Sequence, residues 1–339
     1  MRTFMRSLRI AAVLWLALGA AWCRADSPIV LMVGGMNKII YLPAIVAQRQ
    51  GYFRKLGLHV EVVSEPAGSN AEDELIAGAV QGVVGFYDHC IDLQSKGYAI
   101  ESVIQLTRVP GEVELTQAGR AGADLRAIGA RRLGVTDIGS STDFLSRYLA
   151  LRAGLQPSQY RLVPVDAGDR FMEALRAGHI DAGMTTDPTV TRLLDAQGAR
   201  ILVDLRSVRG MRSALGGDYP ASSVYMQRAW VDAHPSQVRG IVQAFLMALR
   251  YLRSHDAATV VASLPPAFVE GHRAAYVKAL QAFRPEYSPD GRMPADGPTT
   301  VLAVLQAINP DVRGGDIDLS RTYTEKFLPR RGLAPPAGR

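Results

Sequence analysis

One order of segments, strand, loop, helix, strand, helix and strand, occurs twice in this chain about one hundred residues apart, and the recurrence restricts the possible folds severely. Ile29–Gly34 (IVLMVG) is a continuous apolar run of the kind a buried parallel strand shows. A loop at 35–41, a helix at 42–50 with Leu42, Ile45 and Val46 on one face, a strand at 59–63, a helix at 71–79 and a strand at 82–86 follow. In the second copy the strand LGVTD (133–137) leads to helix 142–153, strand 161–165, helix 169–177 and strand 182–185. Landmarks fall in register: Gly34 with Gly134, Ala67 and Gly68 with Ala167 and Gly168, Leu75 with Leu175, Gly78 with Gly178. Helices alternating with strands predict parallel sheets, so the chain is expected to build two similar α/β lobes.

In such sheets a ligand lies beyond the carboxyl ends of the strands. Four segments lie there, two from each lobe: 35–41, 87–89, 138–142 and 185–188. A cleft between the lobes would bring them face to face. Gly and Pro clusters at 107–111 (TRVPG) and 216–221 (GGDYPA) interrupt the alternation and mark two crossings between lobes. Residues 26–107 and 222–330 would then form the first lobe and 108–221 the second. The block after residue 235 has helical spacing at 235–254, 257–264, 268–283 and 298–308, and is expected to pack on the first lobe.

Composition bears on location and partners. Residues 10–21 are apolar, follow Arg2, Arg6 and Arg9, and precede small residues, the layout of a secretory signal peptide ending near residue 25. Trp22 before Cys23 argues against a lipid-anchored cysteine. Without residues 1–25, which hold four arginines and no acid, 34 basic residues face 32 acidic ones. The basic balance belongs to the leader, and nucleic acid is not an expected partner. Cys90 alone remains beyond residue 25, and one cysteine makes neither an internal disulfide nor a zinc site. The tail 331–339 is expected to be disordered.

The candidate site residues follow from position. In LGVTDIGSSTDF (133–144), Ser140, Ser141 and Thr142 open a helix, where they could cap it or turn hydroxyls and free N–H groups toward a ligand. Asp88 and His89 are adjacent at a strand end, so at most one is expected to face the cleft. Asp187 before Pro188 could shape a turn or touch ligand. Lys38 could be a solvated loop lysine or an anion clamp, and Tyr41, Tyr87 and Tyr219 suit either cleft walls or core. Neither a G-x-S-x-G elbow, an H-E-x-x-H pair, a Walker loop nor a dinucleotide glycine fingerprint occurs, and the six histidines are scattered. No catalytic residue, metal or cofactor is expected.

The runs YLPAIVAQRQGYFRKLGLHVEVV (41–63), ELIAGAVQGVVGFYD (74–88), GSSTDFLSRYLALRAGL (139–155) and ALRAGHIDAGMTTDP (174–188) resemble the solute-binding proteins of ABC transporters for nitrate, sulfonate and taurine. The resemblance runs in order from about residue 29 to 330. It implies a type II periplasmic-binding fold in which a ligand is enclosed as two lobes close about a hinge. It further implies a periplasmic monomer serving an inner-membrane permease with a cytoplasmic ATPase. Carried onto this chain, it implies ligand contacts at Asn37, Lys38 and Tyr41, at Tyr87 and Asp88, at Ser140, Ser141 and Thr142, and at Thr186 and Asp187. Gln81 departs from the family's Asp, retained here as Asp181, which implies a loosened cap in the first lobe. One cation, Lys38, against Asp88 and Asp187 is a weak clamp for a simple inorganic anion, which leaves small organic acids, sulfonates and polar heterocycles as ligand classes. The alternatives are an enzyme of the pyrimidine-precursor-synthase type on the same scaffold, whose cysteine-rich motif is missing here, and a ligand-sensing module of a membrane receptor.

Overall fold

The computed structural model describes residues 28–269 and 271–330. The expected leader, with Cys23, and the tail 331–339 lie outside the described residues. The first sheet takes β1 (Ile29–Gly34), β2 (Val60–Glu65), β3 (Gly82–Phe86) and β4 (Ile100–Gln105). The chain then crosses, and β5 (Glu112–Gln117), β6 (Arg132–Val135), β7 (Arg161–Pro164), β8 (Ala182–Thr186) and β9 (Ala199–Asp204) make the second sheet. It returns through 216–221 to place β10 (Ser222–Gln227) in the first sheet. The orders are β2-β1-β3-β10-β4 and β7-β6-β8-β5-β9, one plan used twice. In each sheet four strands run in one direction, and the strand delivered just after a crossing runs antiparallel between two of them.

Local sequence explains these elements. All five residues of β3 (GVVGF) are buried, so it reads as an apolar run without alternation. Gly34 ends β1 where a Cβ would lie 2.8 Å from the Gly68 backbone, so the turn at 34 and the helix Gly68–Ile76 can close on each other only through glycine. Gln81 does not leave the first lobe uncapped. Its Oε1 accepts from Val30 N at 2.7 Å, as Asp181 Oδ2 accepts from Arg131 N and Arg132 N at 3.1 and 2.9 Å in the second lobe. The longer side chain reaches an N–H at the start of the corresponding inner strand, β1 in place of β6.

Two expectations for the C-terminal part need correction. The span 268–283 is not one helix: Pro266–Val269 and Arg273–Phe283 are separate, with Gly271 at a positive φ of 73° between them. Nor does the block rest on the first lobe alone. The twenty-residue helix Pro235–Ser254 packs on Leu42–Arg49, but Arg273–Phe283 packs on Thr189–Asp195 and Gly297–Ile308 on Ser141–Arg152, both in the second lobe. Its apolar faces therefore reach across the cleft. No helix among the described residues is long and apolar enough to cross a membrane.

Candidate functional site

The carboxyl ends of β1, β3, β6 and β8 meet between the lobes, around an inner cavity of about 10 Å³. Its lining includes Lys38, Ile40, Tyr41 and Gly68 from the first lobe and Glu112, Thr136, Ser140, Ser141, Thr142 and Thr186 from the second. The volume is that of roughly one water molecule. The lobes are therefore drawn together over a polar centre. A wider pocket of about 400 Å³ opens outside it, past Asn37, Glu65, Asp166 and Phe268.

The three hydroxyls at the start of helix Ser141–Arg152 divide the work. Ser140 is the N-cap: its Oγ accepts from Asp143 N at 3.4 Å and donates to the Asp137 carbonyl at 2.6 Å. Thr142 Oγ1 accepts from Thr136 N at 2.9 Å and ties the strand end to the helix. Ser141 turns to the other lobe, where its Oγ donates to Asp88 Oδ1 at 2.8 Å and lies 3.4 Å from His89 Nε2.

Behind Ser141 stands a buried polar chain in the first lobe. Asp88 Oδ2 accepts from the Tyr219 hydroxyl at 2.9 Å, which ties the site to the second crossing. His89 Nδ1 pairs with Glu72, itself buried. Burial alone would lower the His89 imidazole, but the pairing with Glu72, helped by Asp88 and Asp92, outweighs it and raises the ring to about 9. Burial raises the Asp88 carboxyl, against the opposing pull of His89, Ser141 and Tyr219. Asp88 and His89 are not alternating strand residues. Helix Asp88–Ser95 begins at this point, and the helical turn lets both reach Ser141.

Lys38 is buried and does not stand as an open clamp. Its Nζ donates to the carbonyls of Gly34 at 2.7 Å and Pro66 at 3.2 Å. Burial lowers the ammonium to about 8, although Asp166 and Glu112 oppose the shift. Tyr41 lines the cavity with its ring edge-on to Phe86, centroids 6.3 Å apart. Thr186 also lines it, and its hydroxyl donates to Gly111 O at 2.8 Å.

Three residues named from sequence point elsewhere. The Tyr87 hydroxyl bonds to Thr322 in the C-terminal segment, because Tyr87 follows the last residue of β3 and turns away from the cleft. Asp187 caps its own turn, accepting from Thr191 N at 2.9 Å and Thr191 Oγ1 at 2.6 Å, and its second oxygen lies 3.2 Å from Arg206. Its carbonyl nevertheless bridges the lobes, accepting from Ile39 N at 3.1 Å. Asn37 is exposed in the outer pocket. Across the rim, Asn70 Nδ2 donates to Asp137 Oδ2 at 3.2 Å.

The residue missed was Glu112, the first of β5. Because β5 runs antiparallel, its amino end lies beside the carboxyl end of β8, with Glu112 opposite Thr186. A search for the carboxyl ends of parallel strands passes over it. The available signal was E-V-E-L-T after the Pro-Gly crossing: Val113 and Leu115 enter the second-lobe core while Glu112, Glu114 and Thr116 share the other face, all buried.

The fold and site define a two-lobed α/β protein whose lobes, joined by two crossing segments, meet over a buried polar centre. A protein of Bordetella bronchiseptica has the same architecture, with a TM-score of 0.83 and 30% identity over 89% of this chain and 96% of its own. The alkanesulfonate-binding protein from Xanthomonas axonopodis pv. citri, bound to MOPS, superimposes with a TM-score of 0.66 at 18% identity, covering 89% of this chain and all of that one, a likeness of fold. Residues 30–265 match the NMT1-like family, and the chain belongs to it. Among curated sequences, a nitrate import ATP-binding protein of Synechococcus elongatus is 26% identical over 61% of this chain and 32% of its own length. A 4-amino-5-hydroxymethyl-2-methylpyrimidine phosphate synthase of Schizosaccharomyces pombe is 25% identical over 42% and 40%. The chain thus spans less than half of either relative.

Proposed function

We propose that the chain is the solute-binding component of an ABC importer: a periplasmic monomer that encloses one small polar organic molecule and delivers it to a membrane permease driven by a cytoplasmic ATPase. The observation that carries this reading is the bond from Ser141 to Asp88, a hydroxyl of one lobe on a carboxylate of the other, at the edge of the inner cavity. Such a bond exists only when the lobes are together, so a ligand that reinforces it shifts the population toward the closed form. The crossings at 106–111 and 216–221 are the segments about which closure would turn.

The test is thermal shift and small-angle X-ray scattering on the mature protein against sulfonates, organic acids, amines and heterocycles. A ligand should raise the melting temperature, reduce the radius of gyration and be recovered unchanged. Recovery of a chemically altered molecule would instead support the synthase reading, which the Schizosaccharomyces pombe similarity favours. Among the described residues there is no group of three or more His, Cys, Asp or Glu placed to hold a metal ion.

A further inference from the structure

Glu112 is the group around which the ligand's chemistry can be narrowed. It lines the inner cavity, is only 4% exposed, and among the described residues nothing donates to its Oε2. A buried carboxylate oxygen without a donor is costly unless the group is protonated or something else supplies the donor. Most of the other polar groups at the cavity are committed, although among the described residues the Tyr41 hydroxyl, which also lines it, is not. Lys38 gives two of its three protons to carbonyls, Ser141 and Tyr219 give theirs to Asp88, Thr186 to Gly111 O, and Thr142 takes Thr136 N.

Charge points the same way. Around Glu112 the buried carboxyl groups include Glu72, Asp88 and Glu114, while the buried cations there are Lys38 and His89. Glu72 is answered by His89 at direct contact. Asp88 is stabilised by Ser141 and Tyr219. Glu112 has Lys38 within its field but no bond to it, and Asp88 and Glu114 repel it. An anion entering here would lie beside Asp88, and the two buried cations are already engaged, Lys38 with the Gly34 and Pro66 carbonyls and His89 with Glu72.

We propose, resting on the solute-binding reading above, that the cleft selects a compact ligand bearing a cationic N–H donor, an ammonium, amidinium or protonated amino-heterocycle, and that Glu112 is the residue that receives it. Selection against nitrate, bicarbonate and sulfonates follows from Asp88 nearby and from the engagement of Lys38 and His89. Burial, reinforced by Asp88, holds the free Glu112 carboxyl protonated well above the usual carboxylate range, with Lys38 and His89 pulling the other way. Tyr41 and Tyr219, also near it, stay neutral for the same reason. A cation binding at Glu112 therefore displaces a proton, and affinity for it rises with pH.

The experiment is isothermal titration of the mature full chain near pH 7 with methylammonium, guanidinium, acetamidinium and 4-aminopyridinium, each in two buffers of different ionisation enthalpy. Nitrate, bicarbonate and ethanesulfonate serve as the opposing set. Expected are binding of at least one cation with release of up to one proton, and at least a tenfold loss of affinity with no proton release in Glu112→Gln. Glu112→Asp keeps the charge at shorter reach and should retain cation binding and proton release at reduced affinity. This separates loss of charge from damage to the fold, which circular dichroism also monitors. An opposing anion that binds wild type, and binds Glu112→Gln as well or better, overturns the cation inference and leaves the solute-binding reading standing. Binding by neither set counts against both.

Discussion

Ser140 and Ser141 are adjacent and chemically identical, yet the structure gives them opposite thermodynamic roles, which a pair of single substitutions can separate. Ser140→Ala removes an N-cap bonded to Asp143 N and the Asp137 carbonyl, entirely within the second lobe. The loss should appear as about 1 kcal/mol of folding stability, with ligand affinity changed little. Ser141→Ala removes a 2.8 Å bond to a carboxylate across the cleft. A hydrogen bond to a charged group contributes about 1.5–3 kcal/mol, and one formed only on closure is withdrawn from the closed state alone. Affinity should then fall by roughly 10- to 150-fold, because every 1.4 kcal/mol is tenfold. Chemical denaturation measures the first quantity and calorimetry with a ligand found by thermal shift the second. Equal losses of stability and affinity in both variants, or a Ser141→Ala protein that binds as well as wild type, would refute the division of roles.

Other consequences concern pH and packing. Burial raises the Glu114 carboxyl to about 8, against the bond it accepts from Ser146, so the folded chain keeps a proton that the unfolded chain loses above about 4.3. Stability should fall as pH rises through that interval, and Glu114→Gln should be more stable than wild type at pH 8.5 by on the order of a few kcal/mol in urea melts. His89, raised to about 9, acts in the same sense: its contribution is complete below about 6.5 and is lost as pH passes 9. Lys38, lowered to about 8, opposes both above that pH. Lys38→Met leaves the Gly34 and Pro66 carbonyls without its ammonium and should cost about 1–3 kcal/mol in denaturant melts. In Gly183→Ala the new Cβ would lie 2.8 Å from Gly134 O and 2.9 Å from the Phe171 ring, so thermal unfolding should show a loss of about 1–3 kcal/mol.

Much of the scaffold was legible in the sequence because its rules are local. The apolar runs of β1 and β3, the stripe of Val238, Ile241, Val242, Phe245, Leu249 and Leu252 on helix Pro235–Ser254, and the in-register glycines all report burial that adjacent residues suffer together. The hydroxyl turn at 140–142 was readable for the same reason. Less legible was whatever depended on the second lobe's position. Whether a hydroxyl caps or bridges is decided by what faces it, and Asp88 stands fifty-three residues from Ser141 along the chain. Asp187 and Tyr87 fell outside the inner cavity because Thr191 and Arg206, and Thr322, claim their polar atoms first. Glu112 was hidden by strand direction.

The exchange of β5 and β10 also fixes an order of completion. The second sheet draws its five strands from one uninterrupted stretch, 112–204, whereas the first waits for Ser222–Gln227 to fill the place between β3 and β4. A chain emerging from its amino end can therefore finish the later-encoded lobe first. Until then β3 and β4 hold unpaired edges open to each other and to foreign strands. The lobe that begins the protein is the one that any delay in its emergence leaves exposed.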